Sequence, residues 1–200
     1  MFDARLRPLI DPPLKRMGQA LAAAGLSANF LTLLGLGIGL GGAVAIGFGA
    51  YATGLALILL NRLIDGLDGA VARANGPSDF GGYLDIVADF TFYIAVPVGF
   101  GFAAAGNLPY AMVLVATFVL TGISFLAFAV VAEKRGLETA AHGAKSFFYS
   151  TGLAEGTEVI LAFVLMCLLP SYFPLLASGF AILCLLTGVQ RTLLAWMTFR

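Results

Sequence analysis

The sequence predicts an all-α, polytopic membrane protein with six transmembrane helices and an N-terminal amphipathic segment at the membrane interface. Two observations lead to this fold class. First, 60% of the 200 residues are hydrophobic and only 11% are charged, whereas a soluble domain carries about 25% charged residues. Second, the apolar residues fall into six stretches of roughly 20 residues, the length that a helix needs to cross the hydrocarbon core of a bilayer. We therefore expect residues 1–200 to form a single membrane domain.

The N-terminal segment, residues 1–28, mixes apolar residues with basic residues and prolines. The basic residues are Arg5, Arg7, Lys15 and Arg16, and the prolines are Pro8, Pro12 and Pro13. One interpretation is a broken amphipathic helix whose basic side chains face anionic lipid head groups. The other is a charge signal that only sets the orientation of the spans. Both interpretations remain open, and they are compatible.

The six-helix bundle is predicted to occupy residues 29–197. Its spans are 30–49, 51–73, 82–105, 108–132, 147–169 and 173–197. The first span contains Gly35 and Gly39, and also Gly37 and Gly41, each pair four residues apart. Such pairs of small residues allow membrane helices to approach closely. We therefore interpret these glycines as packing residues.

The charged residues indicate the orientation of the bundle. With six spans, all eleven lysines and arginines fall on or near one face. The positive-inside rule makes this face cytoplasmic and places both termini in the cytoplasm. The acidic residues lie on the same side, so we expect the active site at the inner leaflet.

Four aspartates interrupt the apolar pattern at helical spacings. Asp65 and Asp68 are three residues apart, and Asp85 and Asp89 are four apart, so each pair shares one face of its helix. The linker between the two helices is rich in glycine and contains proline, which favours a turn and an antiparallel arrangement. At 1.5 Å per residue, Asp65 and Asp89 both lie roughly 21–24 Å from the outer end of their spans. A fifth aspartate, Asp79, is assigned to the connecting loop.

These carboxylates predict a metal site. A single ionised residue near the bilayer centre costs roughly 2.5–3.5 kcal/mol, and such residues are usually functional. Clustered carboxylates repel each other unless protons or cations compensate their charge. An all-oxygen ligand set favours Mg²⁺, Mn²⁺ or Ca²⁺ over zinc, and two-metal sites commonly serve phosphoryl transfer. Arg73 could bind a diphosphate, and Gly69 and Ala72 leave room for a ligand near the helix backbone.

The pattern of these residues resembles the signature of the CDP-alcohol phosphotransferase family. In this sequence it is Asp65-x2-Asp68-Gly69-x2-Ala72-Arg73-x7-Gly81-x3-Asp85-x3-Asp89. The upstream segment 25–32, GLSANFLT, is also similar to a segment that precedes the first span in this family. The resemblance implies an enzyme that transfers a phosphatidyl or related group from a CDP-linked donor to an acceptor hydroxyl and releases CMP.

The resemblance also implies roles for individual residues. Asp65, Asp68 and Asp85 would bind metal, and Asp89 would contribute to a second ion and act as the general base. The cofactor would be two Mg²⁺ or Mn²⁺ ions. The residues expected to contact the CDP donor are Gly69, Arg73, Asn29 and Thr32, and those with a structural role in the motif are Ala72 and Gly81.

The resemblance further implies the partners and the location of the protein. We expect CDP-diacylglycerol or another CDP-linked lipid as donor, a small or lipid alcohol as acceptor, and contacts with membrane lipids. A homodimer is expected, and nucleic acid is not expected as a partner. The expected location is a bacterial inner (plasma) membrane.

The acceptor site is expected near the fifth and sixth spans. Glu155 and Glu158 are three residues apart on the fifth span, at the depth of the aspartates, with Arg191 at a similar depth on the sixth. Together with Lys145, they could form an internal charge network, or they could line an acceptor pocket. Members of the family that use phosphorylated acceptors often carry extra arginines near this glutamate pair, and this sequence has Gly156, Thr157 and Val159 there. A phosphorylated acceptor remains an alternative, because basic residues are close in the chain, namely Lys134, Arg135 and Lys145.

Two other function classes remain as alternatives. A Mg²⁺-dependent membrane prenyltransferase also uses aspartate-rich motifs, and Asn61, four residues before Asp65, fits that class. However, such enzymes have a second distant aspartate motif, and none follows Asp89. A cation transporter would need polar groups that reach both membrane faces, whereas the outer halves of all six spans are apolar.

Overall fold

In this structure, a computed structural model, residues 3–137 and 152–200 are described. Over these ranges the chain forms seven α-helices and no β-strand, which confirms the all-α prediction for this part of the chain. Two short 3₁₀ turns precede the fifth and seventh helices. The helices are α1 Asp3–Ala23, α2 Ala28–Gly47, α3 Tyr51–Asn75, α4 Asp79–Ala103, α5 Leu108–Lys134, α6 Gly156–Leu168 and α7 Phe173–Phe199.

Four of the helices in the described ranges are long and apolar enough to cross a membrane, namely α2, α4, α5 and α7. Helix α3 has 25 residues but carries charged side chains in its second half, which lower its hydropathy. Helix α6 is apolar but has only 13 residues, fewer than the roughly 20 that a perpendicular span needs. The predicted total of six spans therefore remains a prediction.

The helix of the fifth predicted span begins later in the chain than the sequence interpretation placed it. Helix α6 starts at Gly156, and residues 152–155 are not helical. Glu155 caps the helix: its side chain accepts from the backbone of Glu158, whose own side chain accepts from the backbone of Glu155. This reciprocal cap satisfies backbone N–H groups that the first turn leaves unpaired. Residues 147–151 lie outside the described residues.

The structure of Asp79 and that of the N-terminal segment also differ from the sequence interpretation. Asp79 is not in the connecting loop but in the first turn of α4, after Ser78, whose hydroxyl accepts from the backbone N–H of Gly81. A carboxylate in a first turn is favoured by the helix dipole. For the N-terminal segment, one of the two open interpretations was a helix broken by proline, whereas α1 is one helix that includes Pro12 and Pro13.

Helices α2 to α7 share one hydrophobic core at the end of the bundle away from the aspartates. Aromatic side chains dominate it. Phe100 of α4 stacks between Tyr51 of α3 and Phe173 of α7, at ring centroid distances of 5.8 and 4.6 Å. Nearer the aspartates, Phe92 of α4 packs edge to face against Phe163 of α6. This core fixes the helices from which the polar side chains project.

Small residues bring the helices close together around the aspartates. Helix α1 packs closely against α3, as the space at Gly18 shows: a Cβ placed on this residue would lie only 2.5 Å from Cβ of Ala70. On α2, a Cβ on Gly39 would lie 2.7 Å from Cδ2 of Phe92 in α4. Gly35 and Gly39 are therefore packing residues, as predicted, whereas a Cβ on Gly37 would meet no atom within 4 Å.

Candidate active site

Helices α3 and α4 bring three carboxylates together. Only three residues separate the two helices, and Gly76 makes the turn with a φ of 92°, a conformation that glycine adopts at no steric cost. One carboxylate oxygen each from Asp65, Asp68 and Asp85 lies within 4.8 Å of the others. The predicted approach of the two aspartate pairs is therefore observed for these three residues.

The start of α2 closes one side of this cluster. Thr32 Oγ1 donates a 2.7 Å hydrogen bond to Oδ2 of Asp68, and it also lies 3.0 Å from the carbonyl of Ala28. The side chains of Thr32 and Asp68 are both buried. The hydroxyl thus fixes the orientation of one carboxylate of the cluster.

Asp89 has a different neighbour, which the sequence interpretation missed. Nη1 of Arg62, on α3, lies 2.9 Å from Oδ1 of Asp89 and 3.5 Å from Oδ2 of Asp65. Sequence analysis counted Arg62 only among the charges that set orientation. Its position three residues before Asp65 was the available signal, because that spacing places both side chains on one helix face.

The guanidinium of Arg62 is held from several directions. Its Nε donates to Oδ1 of Asn61 at 2.7 Å, and Nδ2 of Asn61 donates to the carbonyl of Gly35 at 2.8 Å. Its Cζ lies 4.6 Å from the ring centroid of Phe92 and 5.7 Å from that of Tyr93. These distances are within the range of cation–π attraction, so the side chain is positioned before any ligand binds.

A pocket between α2, α3 and α4 contains most of these groups. The residues that line it are Thr32, Gly35, Leu36, Asn61, Arg62, Asp65, Asp68, Ala88 and Asp89. Asp89 thus shares one pocket with Asp65 and Asp68, although its carboxylate is paired with Arg62. The lining thus combines three carboxylates, one guanidinium and the apolar side chains of Leu36 and Ala88.

The predicted donor-binding residues lie around the ends of α2, α3 and α4. Arg73 is exposed in the last turn of α3, and its guanidinium lies over Gly69: a Cβ on Gly69 would be 3.2 Å from Nη1 of Arg73. Ala72, beside Arg73, is partly buried. Asn29 lies at the first turn of α4, because a Cβ on Gly81 would be 3.2 Å from its Oδ1. The structure therefore brings Asn29 close to Gly81, the glycine of the family pattern that lies on α4.

Two of the predicted acceptor residues, Glu155 and Arg191, lie close to Gly152. Oε1 of Glu155 accepts from the backbone N–H of Gly152 at 3.0 Å, and a Cβ on Gly152 would lie 3.2 Å from Nη2 of Arg191. Arg191 also donates to the carbonyl of Thr121 at 2.9 Å. Glu158 belongs to the cap of α6. Lys145 lies outside the described residues, and these contacts leave both interpretations of the acceptor region open.

The carboxylate cluster fits a divalent metal ion. Within the described residues, the group consists of three aspartates and contains no histidine or cysteine, a donor set that suits hard cations such as Mg²⁺ and Mn²⁺. The hydrogen bond from Thr32 to Asp68 supplies the kind of support that orients a ligating carboxylate. Asp65, Asp68 and Asp85 are therefore the residues that could hold an ion.

Comparison with known proteins agrees with this geometry. Residues 26–198 match the CDP-alcohol phosphatidyltransferase family. The chain is 43% identical over 201 residues to the inner membrane protein YnjF of Escherichia coli, covering 100% of this chain and 98% of that protein. It is 33% identical over 87 residues to an archaetidylinositol phosphate synthase of Pyrococcus horikoshii, covering 43% of this chain and 46% of that protein.

Two solved structures of a Mycobacterium tuberculosis phosphatidylinositol phosphate synthase, PgsA1, have a similar fold. The structure in complex with manganese and citrate aligns with a TM-score of 0.70 and 23% identity over 92% of this chain and 88% of that one. The structure with CDP-DAG bound aligns with a TM-score of 0.68 and 23% identity over 92% of this chain and 93% of that one. At this identity, the similarity demonstrates a shared fold.

Proposed function

Because the chain belongs to the CDP-alcohol phosphatidyltransferase family, we propose that it transfers a phosphatidyl group from CDP-diacylglycerol to an acceptor hydroxyl and releases CMP. The observation that carries this proposal is the cluster of Asp65, Asp68 and Asp85, which are all members of the family pattern and lie within 4.8 Å of one another. The binding of CDP-DAG to the structurally similar PgsA1 supports this choice of donor.

The metal is proposed to be Mg²⁺ or Mn²⁺, held by Asp65, Asp68 and Asp85. The manganese in a PgsA1 structure supports this choice. When bound, the ions neutralise the donor diphosphate and the charge that develops at the transferring phosphorus. As the sequence predicts, a second ion would be shared with Asp89. The hydroxyl of Thr32 would support the site by orienting the carboxylate of Asp68, to which it donates a hydrogen bond.

Asp89 is proposed as the general base. In the transfer, the acceptor oxygen forms a bond to the β-phosphorus of the donor, which is the phosphorus attached to the lipid. The bond from this phosphorus to the oxygen that bridges the two phosphorus atoms breaks, and CMP leaves with that oxygen. The acceptor proton moves to the carboxylate of Asp89, in the usual role of a positioned base. The hydrogen bond from Arg62 at 2.9 Å supports this role, because it fixes Oδ1 of Asp89, a residue that lines the pocket.

The donor nucleotide is proposed to lie at the ends of α2 and α3. Arg73 would bind a phosphate with its planar guanidinium, and Gly69 would allow close approach to the backbone. Asn29 and Thr32 would contact the nucleotide from the start of α2. Their positions support this arrangement, because Thr32 bonds to Asp68 and Asn29 lies beside Gly81.

The remaining groups are proposed to form the acceptor side. Glu155, Glu158 and Arg191, together with Lys145, would line the acceptor pocket. Support comes from the start of α6, where a Cβ on Gly156 would be 3.6 Å from the hydroxyl of Tyr93. Tyr93 is also a neighbour of Arg62, so this region borders the pocket that contains Asp89.

The membrane arrangement is proposed from the charges and the helices together. The chain would be a single domain of six spans, 29–197, in the inner membrane, with 1–28 at the cytoplasmic interface. Both termini and the active site would face the cytoplasm, and the protein would form a homodimer. The apolar helices and the inner membrane relative support the membrane location.

The experiment that tests the function is a screen for CMP release. The protein is purified in detergent with Mg²⁺ or Mn²⁺ and CDP-diacylglycerol, and candidate alcohols are added one at a time. We expect CMP to appear with at least one acceptor and to require the metal. Absence of CMP with every acceptor, together with activity on a prenyl diphosphate, would replace the proposal with the prenyltransferase alternative, which family membership disfavours.

A further inference from the structure

The four aspartates of the pattern do not form one cluster of equivalent ligands. Asp65, Asp68 and Asp85 offer oxygens within 4.8 Å of one another. The Oδ1 of Asp89 instead lies 2.9 Å from Nη1 of Arg62, the distance of a strong charged hydrogen bond. The site is therefore divided into a triad that suits a metal ion and a carboxylate that already has a cation.

That cation is fixed by its surroundings. Asn61 accepts from Nε of Arg62 and is itself anchored to the backbone of α2 through Gly35. The ring of Phe92 lies beneath the guanidinium at 4.6 Å. The same Nη1 that reaches Asp89 lies 3.5 Å from Asp65, so the positive charge stands between the triad and the fourth carboxylate. A second metal ion held by Asp89 would therefore meet this positive charge.

We propose that the guanidinium of Arg62 occupies the place of the second cation, and that a second divalent ion must compete with it for Asp89. The inference rests on the proposed function, because it takes the triad as the site of the first ion. The physical reason is direct. An oxygen-bound Mg²⁺ or Mn²⁺ lies about 2.0–2.2 Å from its carboxylate, and a guanidinium fixed against the same oxygen would repel it.

The charges of the site indicate when the second ion enters. The guanidinium of Arg62 already compensates negative charge of Asp89 and Asp65. A second divalent ion alone would add its charge beside this fixed arginine. A second ion that arrives with the donor diphosphate brings compensating negative charge. The chain therefore binds one ion tightly by itself and the second together with the CDP donor.

Metal counting tests this inference without an activity assay. Mn²⁺ is titrated into the purified, nucleotide-free protein, and free Mn²⁺ is measured by electron paramagnetic resonance. We expect one tight ion in the wild type and in Arg135→Gln, a matched change at an exposed arginine at the end of α5. In Arg62→Gln, a second ion should bind at least about tenfold more tightly than in the wild type. Two ions of equal affinity in the wild type, unaltered by Arg62→Gln, would overturn the inference.

A second measurement covers the case in which Arg62→Gln does not fold. Short-chain CDP-diacylglycerol is added to the wild type, and the second tight Mn²⁺ should appear only in its presence. Arg62→Lys, which keeps the charge, should bind one ion in its absence. A second Mn²⁺ ion that binds equally well with and without CDP-diacylglycerol would contradict the inference. The absence of any bound Mn²⁺ would also contradict it. If the Mn²⁺ counts follow expectation but no acceptor yields CMP, the proposed function fails while the role of Arg62 stands.

Discussion

The hydroxyl of Thr32 donates a 2.7 Å hydrogen bond to Oδ2 of Asp68, across 36 residues of chain. This bond joins the first turns of α2 to the face of α3 that carries the proposed metal ligands. Both side chains are buried, and only 5% of the surface of Asp68 is exposed. The position of α2 and the orientation of a proposed metal-binding carboxylate are therefore coupled.

Replacing this hydroxyl should weaken metal binding. Thr32→Val has nearly the same shape but cannot donate, so Asp68 loses the group that orients it, and Mn²⁺ affinity should fall about 10–100-fold. Thr32→Ser should restore most of the affinity. Mn²⁺ titration of the purified variants measures this, with Thr192→Val as control, because the hydroxyl of Thr192 bonds within its own helix to the carbonyl of Gly188. Equal affinity in Thr32→Val and the wild type would show that the bond does not support the ion.

Asp89→Asn should abolish turnover while donor binding largely survives. The amide oxygen can still accept from Arg62, so the fold of the pocket is kept, but the side chain can no longer take the acceptor proton. Loss of a general base lowers rates by about 10²–10⁴-fold. CMP release measures turnover, and CDP-diacylglycerol binding is measured separately. The control is Asp79→Asn, at an exposed aspartate of the same stretch, which should have wild-type activity. Normal turnover in Asp89→Asn would show that Asp89 is not the general base.

Arg73→Lys should weaken the binding of the CDP donor. The guanidinium of Arg73 lies over Gly69 at the exposed end of α3, where its planar fork can bind two phosphate oxygens. A lysine supplies only a point charge at that place, so the KM for the donor should rise while kcat changes less. Arg135→Lys is the matched control at an exposed arginine outside the pocket. An unchanged donor affinity would remove Arg73 from the binding site.

The hydropathy pattern predicted most of the bundle because long apolar stretches have few alternatives in a membrane. Helices α2, α3, α4, α5 and α7 begin and end within three residues of the predicted spans. The spacing of Asp65, Asp68 and Asp85 likewise predicted a common site, since a helix has one face at that period and a short turn brings two such faces together.

Other features depended on contacts that no local pattern specifies. The start of α6 follows from the reciprocal cap between Glu155 and Glu158, which hydropathy does not reveal. The partner of Asp89 is an arginine 27 residues away. The spacing from Asp65 places Arg62 on the aspartate face of α3, but it does not identify Asp89 as the residue that Arg62 contacts. From the sequence alone, Arg62 was interpreted only as a topology signal, because its positive charge was considered and its position on one face of α3 was not.

Two glycines on one helix provide a final test of the packing that supports the site. A Cβ on Gly39 would lie 2.7 Å from Cδ2 of Phe92 and 3.1 Å from Nδ2 of Asn61, the two side chains that hold Arg62. Gly39→Ala should therefore destabilise the protein by about 1–3 kcal/mol, as overpacking does, and should displace the guanidinium from Asp89. Thermal unfolding in detergent measures the first effect, and Mn²⁺ titration the second.

The control for this substitution is Gly37→Ala, two residues away. A Cβ on Gly37 meets no atom within 4 Å, so the change adds a better helix former without a clash and should leave stability unchanged or raise it by up to about 1 kcal/mol. The number of tightly bound Mn²⁺ ions should also be unchanged in this variant. If Gly39→Ala and Gly37→Ala unfold at the same temperature, the close approach of α2 to Phe92 does not limit the packing of the bundle. Arg62 would then be held by its hydrogen bonds and not by the ring beneath it.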